Sequence, residues 1–426
     1  MIRLCSLLLF IGTAGLTPTP LHAKVPLDEF RARRAALCQS LIGASDGVLL
    51  LKGRAEVYDQ IFRFEQEPNF YYLTGWTEPG AALLLTSSDE ILFLPRHDKQ
   101  AEKYSGRRTS AGDAGARALT GFEKILPIEM LEAELDRALN FHSRIYTPWT
   151  EPYAGQLRAR YPFREIADAS PLIANLRLKK SAAEIAAIQH ATDVSVEAHR
   201  VAWKRLRAGE YEYQVAAQLI DTFLEDGCES PAYSPIIGSG PNGAILHYMS
   251  NQRRIDHGDL VVMDAAAECD AYASDITRTV PVGGKFSPRQ RAIYQTVLGA
   301  QKEAIAAVKP GVWLADSTPH RYSGSSLTKI ARDYIDAHGK DLHGEPLGKY
   351  FTHDIGHQVG LQVHDPPSAV PLEAGMVITI EPGVYLAEEH LGIRIEDIVL
   401  VTREGAKVLS AALPKEPDEI EQALSK

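Results

Sequence analysis

Short apolar runs alternate with helical patterns along the first part of the chain. Apolar runs of strand length occur at 47–51, 81–85 and 90–94. An amphipathic pattern predicts a helix over 28–41, and another helical pattern covers 128–139. Strands that alternate with helices are typical of an α/β unit. We therefore predict a smaller α/β N-terminal domain over residues 24–172.

The second part has longer helical patterns and paired apolar runs. Ser181 and Glu184 form a capping-box motif that predicts the start of a helix ending near Arg207. Further helices are predicted at 212–226, 288–308 and 325–338, and strands at 260–263, 376–380 and 392–399. These elements predict an α+β domain over residues 173–426.

The strand at 260–263 ends on an aspartate, and a second β-prone run follows another aspartate. If the chain folds back about Cys269 and Asp270, Asp264 and Asp275 lie directly opposite each other. Like charges in such a position destabilise a sheet, and burial raises the cost. A hard divalent cation between the carboxylates would remove the conflict. The alternative is a pair of exposed loop aspartates.

A second hairpin repeats this arrangement with glutamates. Glu381 and Glu396 are equally far from a centre at Glu388 and Glu389. Arg394 lies two residues before Glu396, so both side chains are predicted to share one face. Two hairpins that each deliver a carboxylate pair suggest two related halves.

Three histidines lie within a short run punctuated by glycines: His353, His357 and His364. The spacing of the first two is typical of a zinc-binding helix, but Asp354 occupies the position of the usual general-base glutamate. The glycines also disfavour a helix. We predict a loop and strand that carry a functional site, although a lone histidine is usually structural.

Together these residues suggest a metal centre. Four carboxylates and one imidazole are able to hold two divalent ions, for which Mn(II) is the first choice and Zn, Co or Fe are alternatives. Such ions activate water, so hydrolysis of an amide is the natural reaction.

Composition and charge narrow the classes of partner. The chain has 426 residues and a formal net charge of -10, which disfavours nucleic acid as a partner. Without Lys/Arg runs, a membrane-surface patch is not predicted. Cys38, Cys228 and Cys269 are widely spaced, and we expect free buried thiols, with one disulfide as the alternative.

The N-terminus has the pattern of a secretory signal. Arg3 precedes an apolar segment, and a small-residue site ends at Ala23. We therefore expect a signal peptide over 1–23, a periplasmic or secreted protein, and no membrane association after cleavage. An uncleaved anchor is the alternative.

Several of these motifs together resemble one known superfamily. The segments are GSGPNGAILHY, GDLVVMDAAAECDAYASDITRTVPVGGKFS, HDIGHQVGLQVHD, MVITIEPGVY and GIRIEDIVLV. They resemble the pita-bread metallopeptidases, which include methionine aminopeptidase, aminopeptidase P and prolidase. The N-terminal NFYYLTGWTEPGAALLL and SGRR resemble the N-terminal domain of aminopeptidase P and prolidase. The resemblance covers most of the chain after residue 23 and implies a catalytic domain of two pseudo-symmetric α+β halves.

This resemblance also implies a role for each matching residue. The implied metal ligands are Asp264, Asp275, His357, Glu381 and Glu396. Glu381 would also act as general base and proton shuttle for a hydroxide that bridges the metals. The implied catalytic and substrate-pocket residues are His247, His353, His364, Arg394 and Tyr385. Two departures are visible: Ala266 replaces a usual glycine, and Gln358 replaces a frequent aromatic residue.

The implied activity is that of an Xaa-Pro aminopeptidase, which removes the residue before a penultimate proline. The alternative is an Xaa-Pro dipeptidase (prolidase), which has the same motifs. A metal-free binding module or a creatinase-like hydrolase is a further alternative, but all five ligand positions are filled. Family members are commonly homodimers or homotetramers, so we expect one of these states.

Overall fold

The computed structural model describes residues 25–44, 47–56, 61–315, 326–366 and 369–425. The predicted signal peptide over 1–23 lies outside the described residues. Within these ranges, none of the helices has both the length and the apolar character needed to span a membrane.

A six-stranded mixed sheet forms the centre of the N-terminal part. Its strands are β1 (Gly47–Lys52), β2 (Ala82–Leu85), β3 (Glu90–Leu94), β4 (Lys124–Pro127), β5 (Arg144–Thr147) and β6 (Glu165–Asp168). Their order is β4-β3-β2-β1-β5-β6, with β2 antiparallel to both of its neighbours and the other pairs parallel. Helices cover both faces, because alternate residues of β1, such as Val48 and Leu49, are buried in different hydrophobic clusters.

The helices of this part include the first predicted one. They are α1 (Leu27–Ala44), α2 (Pro68–Thr74), α3 (Glu102–Ser105), α4 (Ala116–Thr120), α5 (Leu131–Ala138), α6 (Tyr153–Arg160) and α7 (Ser170–Arg177). A short 3-10 helix, Ile128–Met130, precedes α5. The boundary at 172/173 stays a prediction, and α7 crosses it.

The C-terminal part is built from long helices and small antiparallel sheets. The helices are α8 (Ala182–Arg205), α9 (Glu212–Glu225), α10 (Pro288–Ala307), α11 (Leu327–His338) and α12 (Pro417–Leu424). Short 3-10 helices occur at Gly240–Ala244, Leu347–Tyr350 and Ala387–Glu389. The predicted capping box at Ser181 and Glu184 starts α8.

The strands of the C-terminal part form four small sheets. They are β7 (Ser230–Pro231), β8 (Ile236–Ser239), β9 (Leu260–Asp264), β10 (Ala267–Cys269), β11 (Tyr272–Ala273), β12 (Thr277–Pro281), β13 (Val377–Ile380), β14 (Gly383–Leu386), β15 (Leu391–Arg394), β16 (Asp397–Val401) and β17 (Ala406–Val408). The sheets have the orders β8-β9-β12, β7-β10-β11, β13-β16-β17 and β14-β15. The single strand predicted over 392–399 is wrong, because the chain leaves the ladder at Ile395 and Glu396, between β15 and β16.

The C-terminal part has two similar halves. In the first, α8 packs against α9 and is followed by β7–β12; in the second, α10 packs against α11 and is followed by β13–β17. This order of a helix pair followed by antiparallel strands confirms the predicted α+β architecture. A continuous hydrophobic core joins both halves, from Trp203 on α8 to Ile393 on β15.

Cys228 and Cys269 form a disulfide that joins the end of α9 to β10. The expectation of free thiols is therefore wrong for these two residues. Cys38 is free and half-buried.

Candidate active site

The first hairpin delivers two aspartates to one face. Asp264 ends β9, and its partner across the ladder is Thr277 of β12. The predicted direct opposition of Asp264 and Asp275 is therefore wrong. The turn is centred one residue later than predicted, on Asp270 and Ala271, which both have positive φ. Asp275 lies two residues before Thr277, so the two aspartates are diagonal neighbours on one face.

The second hairpin has the predicted register. Ile380 of β13 pairs with Asp397 of β16, and Gly383 of β14 pairs with Arg394 of β15. Both pairs are symmetric about the predicted centre between Glu388 and Glu389. Glu381 and Glu396 occupy the gaps between these two ladders. The second half therefore delivers two glutamates where the first half delivers two aspartates.

His357 lies in the loop before β13, as the glycine-punctuated sequence predicted, but the strand predicted in this run is wrong, since Gln358 forms an isolated bridge with Ile378. Its Nδ1 donates to the Gln358 carbonyl at 3.2 Å, which leaves Nε2 facing the carboxylates. Nε2 is 3.4 Å from Asp275 Oδ2 and 3.5 Å from Glu381 Oε1. Burial alone would lower the pKa of His357, but the contact with Asp275 and the charge of Glu381 raise it to about 9.

The cluster carries an excess of negative charge. Burial, with the nearby Asp275, raises the pKa of Asp264, although Arg394 opposes the shift. Burial raises the pKa of Glu381 to about 7 against the opposing charge of His357. The pKa of Glu396 is raised well above its usual range, first by burial and then by the neighbouring carboxylates. Buried carboxylates in such surroundings need a counter-charge.

The donor geometry fits a divalent cation. Asp275, His357 and Glu396 each place one ligand atom so that all of these atoms lie within 4.8 Å of one another. Asp264 and Glu381 border this group. A set of carboxylate oxygens with one imidazole nitrogen suits hard to borderline divalent ions.

Tyr233 and Thr277 also contact these carboxylates, although the sequence patterns did not indicate either residue. The hydroxyl of Tyr233 lies 2.6 Å from Asp264 Oδ1 and 2.5 Å from Asp275 Oδ1, so it is able to donate to either. Thr277 donates through Oγ1 to Glu396 Oε2 at 2.7 Å. The pairing of β8 with β9, which sets Ile236 opposite Asp264, brings Tyr233 to this end of the sheet. Apolar runs alone do not specify that register.

Arg394, Tyr385 and His353 form a chain of hydrogen bonds beside the cluster. Arg394 Nη2 lies 2.5 Å from Asp264 Oδ2, and its Nη1 donates to the Tyr385 hydroxyl at 3.0 Å. That hydroxyl is 2.9 Å from His353 Nε2, while His353 Nδ1 is 2.8 Å from the Asp354 carbonyl. Burial lowers the pKa of His353 to about 4, so its ring is neutral and accepts from Tyr385.

The other two predicted histidines border the cluster. The rings of His364 and His357 have centroids 4.0 Å apart, and both residues line a pocket of about 320 Å³ that also includes Glu381. His247 follows the 3-10 helix at 240–244 and is exposed. Its charge contributes to the lowered pKa of both His353 and His364, which places it near them. All of the predicted site residues therefore converge on one region.

Two antiparallel halves that converge on buried carboxylates and a histidine define a metal-dependent hydrolase of the pita-bread class. Comparisons with known proteins give the particular family. Residues 186–403 match the model of metallopeptidase family M24, and residues 30–146 match the aminopeptidase P N-terminal domain. The chain belongs to metallopeptidase family M24 and is a metallo-aminopeptidase, a hydrolase.

Its relatives are similar over nearly the whole chain. The Xaa-Pro aminopeptidase of Haemophilus influenzae is 35% identical, with 95% of this chain and 98% of the relative covered. An Xaa-Pro dipeptidase of Pyrococcus horikoshii is 32% identical, with 81% and 91% covered. The solved structure of Pseudomonas aeruginosa aminopeptidase PepP has a TM-score of 0.84 at 31% identity and covers 95% of this chain and 99% of its own. These likenesses confirm the predicted pita-bread fold.

Proposed function

We propose that this enzyme is a dinuclear Xaa-Pro aminopeptidase, which hydrolyses the bond between an N-terminal residue and a penultimate proline. The single observation that carries the proposal is the convergence of five side chains, of which Asp264, Asp275 and Glu396 are buried and His357 and Glu381 are half-buried. Near-full-length relatives that are named Xaa-Pro aminopeptidase support the choice of substrate.

In the proposal these five residues hold two divalent ions, with Mn(II) as the first choice. When bound, such ions lower the pKa of water and polarise a carbonyl oxygen. Asp275, His357 and Glu396 offer ligand atoms that lie close enough for one shared centre. Thr277 donates to Glu396, and Tyr233 donates to either Asp264 or Asp275; hydrogen bonds of this kind tune metal affinity.

Glu381 is the proposed proton carrier. Thr379 donates through Oγ1 to Glu381 Oε1 at 3.2 Å and so restrains its side chain. The carboxylate of Glu381 lies 3.5 Å from His357 Nε2 at the edge of the ligand cluster, which places it to take and return a proton. Glu381 would take the proton of the attacking water and deliver it to the departing proline nitrogen.

The histidines would hold the peptide, and Arg394 would orient Asp264 and Tyr385 beside it. His247 and His364 would donate hydrogen bonds to the oxygen on which charge develops, because both border the cluster. His353, whose ring is fixed by Tyr385 and the Asp354 carbonyl, would lie nearer to the proline ring.

An Xaa-Pro dipeptidase is the second candidate, because two relatives with that name match 81% and 83% of this chain. The two activities are distinguished by measuring the free amino acid that is released from an Xaa-Pro dipeptide and from an Xaa-Pro-Yaa tripeptide. The assay uses chelated enzyme supplied in turn with Mn, Zn or Co. We expect metal-dependent cleavage of both peptides. Cleavage of the dipeptide alone would make the enzyme a dipeptidase.

Two further predictions stay proposals. A homodimer or homotetramer is expected from the family resemblance. A periplasmic or secreted location is supported by the Cys228–Cys269 disulfide, since disulfides persist in oxidising compartments.

A further inference from the structure

One face of α8 carries three polar side chains that are fully buried. Thr192, Ser195 and His199 are all 0% exposed. Their spacing of three and four residues places them in a row on one side of the helix. Burying polar groups is costly unless each finds a partner. We call this row the polar stripe of α8.

The segment from β9 to β12 carries Asp264 and Asp275, and we call it the aspartate hairpin. Each member of the polar stripe contacts the backbone or a side chain of this hairpin. Thr192 Oγ1 is 3.0 Å from Ser274 Oγ, and Ser195 Oγ accepts from the Ala267 amide at 2.9 Å. His199 Nε2 donates to the Ala265 carbonyl at 3.0 Å. Ala265 follows Asp264 directly, and Ser274 precedes Asp275.

The helix itself sets the direction of these hydrogen bonds. Thr192 and Ser195 donate their hydroxyl protons to the carbonyls of Ile188 and Ala191, at 2.7 and 2.6 Å. Their oxygen lone pairs are therefore left to accept from the hairpin. Ser274 donates to Thr192, and Ala267 donates through its amide to Ser195. A substitution that keeps the hydroxyl should keep this function, and one that removes it should not.

The hairpin needs this support where the ligands are attached. Its ladder is interrupted at Ala265 and Ala266, after β9, and again at 274–276, before β12. Two backbone bonds cross the hairpin in this region, from the Ala265 amide to the Ile276 carbonyl at 3.2 Å and from the Ser274 amide to the Ala267 carbonyl at 3.1 Å. The contacts with Ala265 and Ser274 fall within these gaps, and the contact with Ala267 is at the first residue of β10. The position of both aspartates therefore depends on α8 as well as on the strands.

We infer that Thr192, Ser195 and His199 are positioning residues, which hold the aspartate hairpin in the geometry that binds metal and so set the affinity of the centre. The inference rests on the proposed metal centre. It goes further by assigning part of the metal affinity to a helix that offers no ligand.

The test compares substitutions that remove or keep the contacts of Thr192 and Ser195. Mn(II) affinity is measured on the purified, chelated protein by competition with a chelating dye, and thermal midpoints are recorded for the same samples. Thr192→Val and Ser195→Ala should each weaken Mn(II) binding by about 10-fold, as is typical for groups that orient ligands. Thr192→Ser keeps the hydroxyl and should bind Mn(II) like the wild type.

Thr296→Val is the matched control for general destabilisation. Thr296 is a buried threonine of α10 that donates to the Ala292 carbonyl at 3.1 Å and makes no contact with the hairpin that the structure records. It should lower the thermal midpoint as Thr192→Val does, with Mn(II) affinity unchanged. Equal affinity loss in both valine variants, or wild-type affinity in Ser195→Ala, would overturn the inference. Absence of Mn(II), Zn(II) and Co(II) binding by the wild type would instead overturn the proposed metal centre.

Discussion

Arg394 and Asp264 join the two halves of the catalytic domain at its centre. Arg394 Nη2 lies 2.5 Å from Asp264 Oδ2 across a sequence separation of 130 residues, and both side chains are buried. The same guanidinium donates to Tyr385 and to Thr277, at 3.0 and 3.2 Å. A planar group with several fixed donors is required to make these three contacts together.

Arg394→Lys should therefore impair catalysis although it keeps the charge. A lysine ammonium cannot reproduce the fork that holds Asp264, Tyr385 and Thr277 in fixed directions. We expect kcat/KM for an Xaa-Pro-Yaa peptide to fall by about 10-fold to 100-fold, as for other groups that orient metal ligands. Steady-state kinetics at saturating Mn(II) measure the effect. Wild-type kcat/KM in this variant would show that the contacts of Arg394 do not contribute to catalysis.

Glu381→Ala should abolish hydrolysis and reduce bound metal. Loss of a positioned acid–base group costs about 10²-fold to 10⁴-fold in rate, and the loss of a ligand adds to that. The measurements are kcat and the metal content after dialysis against Mn(II). Glu404→Ala, at an exposed position in the turn before β17, is the matched control and should behave like the wild type. Turnover near wild type in Glu381→Ala would refute the role of Glu381.

Removing the Cys228–Cys269 disulfide should destabilise the catalytic domain. The bond closes a loop with a sequence separation of 41, for which loop-closure entropy gives about 4 kcal/mol. Urea unfolding of Cys228→Ser, compared with oxidised wild type, measures the difference in free energy of unfolding. Cys38→Ser should leave this free energy nearly unchanged. A reductant should lower the stability of the wild type and have no effect on Cys228→Ser; equal sensitivity of both would contradict the bond's contribution.

The stability of the protein should depend on pH through His199. Burial, with a contribution from Arg278, lowers the pKa of His199 to about 4 from its ordinary value of 6.5. The unfolded chain therefore binds a proton between pH 6.5 and 4 that the folded chain does not. This contribution to stability is complete above pH 6.5 and decreases as the pH falls, by up to about 3 kcal/mol.

Urea unfolding of the wild type and of His199→Gln between pH 4 and 7.5 tests this expectation. Other groups titrate in the same range, so the difference between the two curves is the relevant quantity. The glutamine variant should lose less stability on acidification. Parallel curves for the two proteins would show that His199 is not buried in its neutral form.

The sequence predicts some parts of the site better than others. The glutamate hairpin was placed correctly because its turn falls midway between Glu381 and Glu396. The predicted turn of the aspartate hairpin is one residue too early. Asp270 and Ala271 both adopt positive φ, and an alanine in the sequence does not indicate that conformation. The glycines around His357 correctly indicated a loop.

Features that depend on distant contacts were not predictable in this way. Tyr233 reaches Asp264 only through the register of β8 against β9. Cys228 and Cys269 are brought together because α9 packs beside β7, which pairs with β10, and three widely spaced cysteines after residue 23 do not indicate that pairing.

The most direct test of the central claim is a titration of chelated enzyme with Mn(II), in which free amino acid released from an Xaa-Pro-Yaa tripeptide and bound Mn(II) are measured together. We expect no activity without metal and full activity when two ions are bound to each chain. Full activity in the metal-free protein, or two bound ions without release of the N-terminal residue, would contradict this expectation.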